Sequence, residues 1–456
     1  MKEIRMGNFR CYADQSIEFK PGINLLIGDN ASGKTTILKA CKYVLSAFFS
    51  GFSDENTRWI SPDESDFTEN IKDGIILPEK PVELDFTYDY DIYSKVPSKK
   101  QGLLFDTDTN ISEEEKFTLQ KVSKKNSRAL VSGISGFRDY AKELYEEFIS
   151  EETSQQVYAL PLFACFTTED IHTTRTTTKI EMGNFINYAQ KNSFGYYECL
   201  DGNGFLPYWL KRLLVLQEGQ KNLQEIEIVR QAIKDALGKD GCNIIGDMHI
   251  RPIQKKIYYI LTDGREAESA QLSDGYKRLV NIVTDIAFRC ALLNRGKYNI
   301  EACHETKGTV LIDEIDLHLH PTLQASVFKG LRNAFPKLQF IATTHAPMVM
   351  TGIENNEENV VYRLSYSTTD GYEVATAKTY GLDVSTITEA ILNQSPRDEA
   401  VDNQLKQLFD LIDEEQTEKA RFLFDELKSQ FGDTLPDLAR AEAMLNFTIE
   451  DDNEKD

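Results

Sequence analysis

Gly28-Asp29-Asn30-Ala31-Ser32-Gly33-Lys34-Thr35 is the stretch that decides the fold of this chain. It follows a short apolar run over residues 23–27, which predicts a buried strand, and residues 36–49 then carry apolar side chains at helical spacing. A glycine-rich turn between a strand and a helix directs backbone N–H groups and the helix N-terminus at one point. The stretch therefore predicts a loop that binds a polyphosphate within an α/β fold.

The residues of this loop have separate expected roles. The Lys34 ammonium would reach the β- and γ-phosphates of ATP, and the Thr35 hydroxyl would lie on Mg²⁺. The competing interpretation is a turn that is merely rich in small residues, which the flanking strand and helix argue against. The candidate nucleotide-binding residues of the loop are Asn30, Ser32, Gly33, Lys34, Thr35 and Thr36.

A second element is an apolar strand over residues 309–312 that ends in Asp313 and Glu314. The carboxyl ends of strands in open α/β sheets form the edge at which ligands bind. We expect Asp313 to belong to the Mg²⁺ shell and Glu314 to polarise the attacking water. The alternative is a buried strand that ends in acidic residues because the chain returns to solvent there.

A third element, Gln271-Leu272-Ser273-Asp274-Gly275-Tyr276-Lys277, resembles the signature sequence of ABC-type ATPases in the SMC, RecF and OLD-like branches. The resemblance implies a head with a mixed sheet, helices on both of its faces and an antiparallel β subdomain. It also implies that Ser273 and Gly275 grip the γ-phosphate bound by a facing protomer, so that two chains enclose two ATP molecules head to tail. Locally, Ser273 also suits the N-cap of the next helix, and the two roles are compatible.

Two further positions follow from the same resemblance. A buried strand over residues 340–344 ends at His345, which would be the switch histidine that contacts the γ-phosphate, with a purely structural histidine as the alternative. Residues 8–12 resemble the segment that SMC-like ATPases hold near the adenine, which makes Arg10 a candidate base contact, or else an exposed turn residue. The expected catalytic residues are Lys34, Glu314 and His345.

The stretch around His318 and His320 has a spacing that suggests a metal site. No further His or Cys stands nearby in a ligand pattern, and the resemblance implies a D-loop that touches the other protomer. The glutamine that this family uses to link the nucleotide to a moving subdomain has no secure match, although Gln155 and Gln156 precede a possible strand.

The pattern of apolar and charged residues divides the chain into two regions. Residues 1–380 are expected to form the ATPase head, with a helical insertion at about 110–156 and an irregular lid at about 167–205. For residues 381–456, the same pattern predicts an acidic helical region. Residues 396–456 contain 18 acidic and 7 basic side chains, which is either a solvated face or a docking surface for a basic or nuclease partner.

Composition limits the classes of function. The 456 residues carry a net charge of -22, which argues against a general phosphate-binding surface for DNA. The seven scattered cysteines predict reduced thiols in a cytoplasm, and no apolar run is long enough to span a membrane. We expect a cytoplasmic protein without a secretory leader.

The ending at residues 431–441 resembles the stand-alone ABC-type ATPases of bacterial anti-phage systems, which include PtuA of Septu and retron-associated relatives, with AriA of PARIS as a close rival. The resemblance implies an ATPase that assembles as dimers and higher oligomers and controls a separate effector nuclease, of HNH type if PtuA-like. The alternatives are a RecF-like repair ATPase acting directly on DNA and an OLD-like nuclease. The nuclease is disfavoured because only about 110 residues follow His345 and they contain no Asp-x-Asp metal cluster of the TOPRIM type.

Overall fold

The structure is a computed structural model, and it describes residues 1–68, 71–72, 75–76, 80–88, 115–125, 129–150, 158–168, 179–187, 190–202, 204–369, 371–395 and 397–453. The described residues divide into two compact units, Met1–Leu382 and Asp383–Asp456. None of the described helices is both long and apolar enough to cross a membrane.

The strands are numbered in chain order. They are β1 (Glu3–Phe9), β2 (Tyr12–Glu18), β3 (Ile23–Gly28), β4 (Ile71–Lys72), β5 (Ile75–Ile76), β6 (Val82–Thr87), β7 (Lys116–Lys121), β8 (Leu162–Phe166), β9 (Ile245–Arg251), β10 (Lys256–Leu261), β11 (Glu266–Glu268), β12 (Gly308–Ile312), β13 (Leu338–Thr344), β14 (Val360–Ser367) and β15 (Gly371–Thr376).

The α-helices follow the same convention. They are α1 (Lys34–Ser46), α2 (Ser135–Ser150), α3 (Lys179–Ile186), α4 (Leu206–Gly219), α5 (Leu223–Leu237), α6 (Asp274–Tyr298), α7 (Ala302–Glu305), α8 (Pro321–Gln324), α9 (Val327–Ala334), α10 (Pro347–Met350), α11 (Val384–Thr386), α12 (Glu399–Asp413), α13 (Thr417–Phe431) and α14 (Pro436–Asn453).

The main sheet of the first unit has the strand order β15-β14-β3-β13-β12-β8. Its strands pair in parallel except for β14 with β15, so the sheet is mixed. All residues of β3, β12 and β13 are buried, as expected for apolar runs in the middle of a parallel sheet. The carboxyl ends of these three strands therefore meet at one edge, where they deliver Gly28, Asp313 and His345.

A second sheet is antiparallel, with the order β2-β1-β6-β7. Together with the mixed sheet and the helices that pack on it, including α1 against β3 and β13, this sheet confirms the predicted fold class, an α/β head with a mixed sheet and an antiparallel β subdomain. A small third sheet, β11-β10-β9, precedes the long helix α6. The apolar positions predicted to face inward on α6 are buried: Leu279, Ile282, Val283, Ile286, Ala287 and Cys290.

Two stretches differ from their expected character. Within the predicted helical insertion, α2 is helical but Lys116–Lys121 is a strand, because Phe117 and Leu119 alternate with polar residues and turn inward. Within the predicted irregular lid, Phe194 and Tyr196 are buried and pack in aromatic contacts, so this part belongs to the core. Residues 110–114, 126–128, 151–157 (with Gln155 and Gln156), 169–178, 188–189 and 203 lie outside the described residues.

The second unit contains the three amphipathic helices α12, α13 and α14. Their apolar faces pack on one another and form a hydrophobic core that belongs to this unit alone. The buried members of that core are Leu405, Leu408, Ile412, Ala420, Phe424, Leu427, Leu438, Ala441 and Leu445.

Candidate functional site

The backbone of the loop between β3 and α1 requires glycine at two positions. Gly28 has φ 143° and Gly33 has φ 95°, values that L side chains rarely adopt. A Cβ at Gly28 would lie 2.2 Å from the carbonyl oxygen of Leu364, and one at Gly33 would lie 2.2 Å from the Tyr12 hydroxyl. The loop is therefore a narrow cradle fixed between β14 and β2.

The Lys34 side chain lies across this cradle. Its ammonium donates to the carbonyl oxygens of Gly28 (2.8 Å) and Asp29 (2.7 Å) and to Ser32 Oγ (3.3 Å). Burial disfavours the charged form and lowers the pKa of Lys34 to about 8, although nearby carboxylates, including Asp313, oppose the shift. An anionic ligand in the cradle would raise this pKa again, because it favours the charged ammonium.

A chain of hydrogen bonds joins the loop to the Asp313 carboxylate and to the backbone of Glu314. Thr35 Oγ1 donates to Asp313 Oδ2 at 3.4 Å, and Thr343 Oγ1 donates to Asp313 Oδ1 at 2.6 Å. Thr343 Oγ1 also accepts a hydrogen bond of 2.7 Å from the backbone N–H of Glu314. The structure thus brings the predicted site residues Thr35, Asp313 and Glu314 together. Thr343, which links Asp313 to Glu314, was not singled out from the sequence.

The donor set at Thr35 and Asp313 fits Mg²⁺. Both residues offer hard oxygen atoms, and Mg²⁺ is commonly held by one or two protein oxygens while phosphates and waters complete its shell. The exposed hydroxyl of Thr35 and the half-buried Asp313 leave room for those other ligands.

The backbone at Glu314 is held from a second direction. Glu314 has φ 48°, an uncommon value for a residue other than glycine. The fully buried Arg278, on α6, donates from its two terminal nitrogens to the carbonyl oxygens of Asp313 and Glu314, both at 2.7 Å. This contact was missed by the sequence analysis, since only the tertiary fold brings α6 to the end of β12.

A cavity of about 430 Å³, here called the loop cavity, opens over the glycine-rich loop. Of the sequence-predicted site residues, Asp313, Ser273 and Gly275 are not among those that line it. Its lining also includes three residues that the sequence analysis did not propose, namely Cys11, Ala31 and Tyr372. The lining residues are Arg10, Cys11, Asn30, Ala31, Ser32, Gly33, Lys34, Thr35, Thr36, Glu314, His345 and Tyr372.

The signature segment has contacts of a different kind. Ser273 is exposed and caps α6, because its side chain accepts a hydrogen bond of 3.4 Å from the Tyr276 N–H. Gly275 is buried, and a Cβ there would lie 2.4 Å from the carbonyl oxygen of His318. His320 caps α8, since its Nδ1 accepts from the Thr322 N–H at 3.4 Å.

Comparison with known proteins matches residues 3–271, more than half of the chain, to the AAA domain family. The retron Vc95 probable ATPase of Vibrio cholerae is 40% identical over 107 residues, which are 24% of this chain and 20% of that protein. The Septu protein PtuA of Bacillus mycoides is 39% identical over 159 residues, which are 35% of this chain and 20% of that protein. The chain thus spans about a fifth of the length of these curated relatives.

Among solved structures, an SMC head bound to the C-winged helix domain of ScpA is 15% identical with a TM-score of 0.45, covering 83% of this chain and 98% of that one. The family match includes the glycine-rich loop, Arg10 and the strands β1 to β11, and it ends at Gln271, just before the signature serine. By this match, and in agreement with the sequence analysis, the chain belongs to the AAA domain family of ATPases.

Proposed function

We propose that this chain binds and hydrolyses ATP with Mg²⁺ as the regulatory subunit of an anti-phage defence complex. The observation that carries the hydrolytic part is the hydrogen-bonded chain Thr35–Asp313–Thr343–Glu314, whose two end residues line the loop cavity together with His345. The defence role is supported by the similarity to proteins named as retron and Septu components.

Each residue has one proposed task. Lys34 holds the β- and γ-phosphates, Thr35 and Asp313 hold the Mg²⁺, Glu314 accepts a proton from the attacking water, and His345 contacts the γ-phosphate. Bound Mg²⁺ supplies neutralisation of the phosphate charge. Arg278 fixes the backbone of both carboxylates, so that Glu314 is held in position before any ligand enters.

The proposed active form is a head-to-tail homodimer with two composite ATP sites. Ser273 and Gly275 belong to the site of the facing chain in this proposal. Two features support it: neither residue lines the loop cavity of its own chain, and the Ser273 side chain is exposed at the start of α6. Higher assemblies of such dimers are part of the same proposal.

The proposed partner is a separate effector nuclease, of HNH type if the chain acts as PtuA does. We propose residues 1–380 as the ATPase head and residues 381–456 as the region that docks the partner or another protomer. The supporting observations are the net acidity of residues 396–456 and the internal core of α12, α13 and α14, which leaves their charged faces outward.

A mixing experiment tests the composite sites. Lys34→Ala and Ser273→Arg chains, each inactive alone, should regain hydrolysis when mixed, because each mixed dimer keeps one intact site. At equal concentrations we expect about a quarter of the wild-type rate, since half of the dimers are mixed and each retains one of two sites.

The matched control is a mixture of Lys34→Ala and Glu314→Gln chains. These two substitutions affect the same half-site, so every composite site in any dimer keeps one defect and hydrolysis should stay at the background level. Equal recovery in both mixtures, or no recovery in either at any ratio, would contradict the composite sites.

A further inference from the structure

The lining of the loop cavity combines two chemically different sets of groups. In the first set, Lys34, Thr35, Glu314 and His345 supply the charged and polar groups suited to phosphates and their metal ion. The rest of the lining includes Arg10 and Cys11 from the turn between β1 and β2, and Tyr372 from β15. This second set combines a planar cation with an aromatic ring, which is the chemistry of a nucleobase site.

Tyr372 is fixed against the glycine-rich loop. Its ring lies 5.5 Å from that of Tyr12 at an interplanar angle of 66°, and 4.8 Å from that of Tyr366 at 51°. The buried Tyr12 in turn donates from its hydroxyl to the carbonyl oxygen of Ser32, at 3.4 Å. The hairpin β14–β15 therefore holds a half-exposed aromatic ring at a fixed position beside the phosphate-binding loop.

Arg10 is held by different contacts. It lies in a tight turn with φ 53°, and its backbone N–H donates to the carbonyl oxygen of Asp66 at 2.8 Å. Its Nε lies 3.8 Å from the buried Asp66 carboxylate. Arg10 and Tyr372 are thus both positioned by the fold before a ligand binds.

We propose that Tyr372 is a nucleobase-binding residue whose ring stacks on the base of the bound nucleotide. The inference rests on the proposed function, because it needs a nucleotide whose phosphates occupy the loop. Removing an aromatic platform from a stacked base weakens binding by about 5-fold to 150-fold. Stacking accepts any base, since every base has a π face.

The test compares ATP with inorganic tripolyphosphate, a ligand that has the phosphates and lacks the base. Dissociation constants for both, with Mg²⁺, are measured for the full chain and for Tyr372→Ala, Tyr372→Phe and Tyr380→Ala. Tyr380 is the matched control, because it is a 59% exposed tyrosine of the same unit and does not line the loop cavity.

We expect Tyr372→Ala to weaken ATP binding at least about 5-fold and to leave tripolyphosphate binding unchanged, whereas Tyr372→Phe and Tyr380→Ala bind both as the wild type does. Equal weakening for the two ligands would overturn the inference, because Tyr372 would then act only by supporting Tyr12. So would an unchanged ATP affinity, or a Tyr372→Phe chain as weak as Tyr372→Ala. A wild-type chain that binds no ATP would instead refute the proposed function.

Discussion

The glycine-rich loop and the signature segment are both short turns that lead into a helix, yet they differ in where their contacts lie. The loop side chains, with Lys34 at their centre, line a cavity formed within one chain. In the signature segment, Gly275 packs on His318 while Ser273 is exposed. The residue that follows the segment, Arg278, binds the carbonyl oxygens of Asp313 and Glu314. The start of α6 therefore connects an exposed surface, at Ser273, to the backbone of Asp313 and Glu314 in the same chain.

The largest effect on ATP hydrolysis should come from Glu314, which lines the loop cavity and whose backbone is bound by Arg278. Glu314→Gln should lower ATP hydrolysis by about 10²-fold to 10⁴-fold, because the amide cannot accept a proton from water. ATP binding should persist, since the phosphate contacts are unchanged, and the closed dimer should accumulate. Steady-state hydrolysis and size-exclusion chromatography with ATP measure the two results, and normal turnover would refute the assignment of the base.

Substitution of Arg278 tests whether the contacts of α6 with its own chain stabilise the fold. Arg278→Met should lower the free energy of unfolding by about 3 kcal/mol, because two partly buried carbonyl oxygens lose charge-assisted hydrogen bonds. Urea denaturation measures the loss, and hydrolysis should fall in the same variant.

Arg278→Lys is its matched variant. Lysine keeps the charge but lacks the planar fork that reaches two carbonyl oxygens at once, so an intermediate loss is expected. If Arg278→Met unfolds at the same urea concentration as the wild type, the two bonds do not stabilise the head.

The affinity of the glycine-rich loop for ATP should depend on pH. Burial holds the pKa of Lys34 at about 8 in the free chain, and bound phosphates would raise it, so ATP binding takes up a proton above that pH. Affinity should therefore be full below pH 8 and should fall by up to about tenfold per pH unit above it.

Titration of ATP affinity between pH 7 and pH 9.5 measures this slope, and constant affinity over the range would contradict it. Burial also raises the pKa of the Cys11 thiol, so Cys11→Ser should keep the slope. Folding responds with the opposite sign: the unfolded chain binds more protons at Lys34 above pH 8, so this group makes the fold more stable as pH rises.

The smallest effect should come from Ser273, where a structural and a proposed functional role coincide. Ser273→Ala should cost about 1 kcal/mol of unfolding free energy through the lost N-cap. Ser273→Asp should restore that stability, because aspartate is as good a cap, and yet its charge should repel a facing γ-phosphate and depress hydrolysis. If the Ser273→Asp chain hydrolysed ATP at the wild-type rate, Ser273 would act only as the N-cap of α6 and not as a contact to the γ-phosphate.

Local sequence patterns were sufficient for some of the site. The apolar runs of β3, β12 and β13 and the long apolar face of α6 are visible without any tertiary information. The three strands bring Lys34, Asp313 and His345 to one sheet edge. Their chemical roles remain predictions.

Other parts depend on contacts between distant residues. The sequence around β7 is charged and does not stand out as a strand. Its inward side chains become buried only because β7 pairs with β6. Arg278 and Tyr372 have neighbours that differ from them by 35 residues and 360 residues in sequence. No local periodicity encodes such pairs, so only the fold shows how the backbone of Asp313 and Glu314 is held and that Tyr372 lines the loop cavity.

The position of β3 in the sheet has a consequence for synthesis of the protein. This strand near the start of the chain lies between β13 and β14, which end at Thr344 and Ser367. Translation proceeds from the N-terminus, so the loop after β3 cannot acquire both of its flanking strands until most of the head has left the ribosome. Nascent or prematurely terminated chains should thus be unable to carry out the proposed hydrolysis of ATP, which would begin only in molecules whose chain has been made beyond β14.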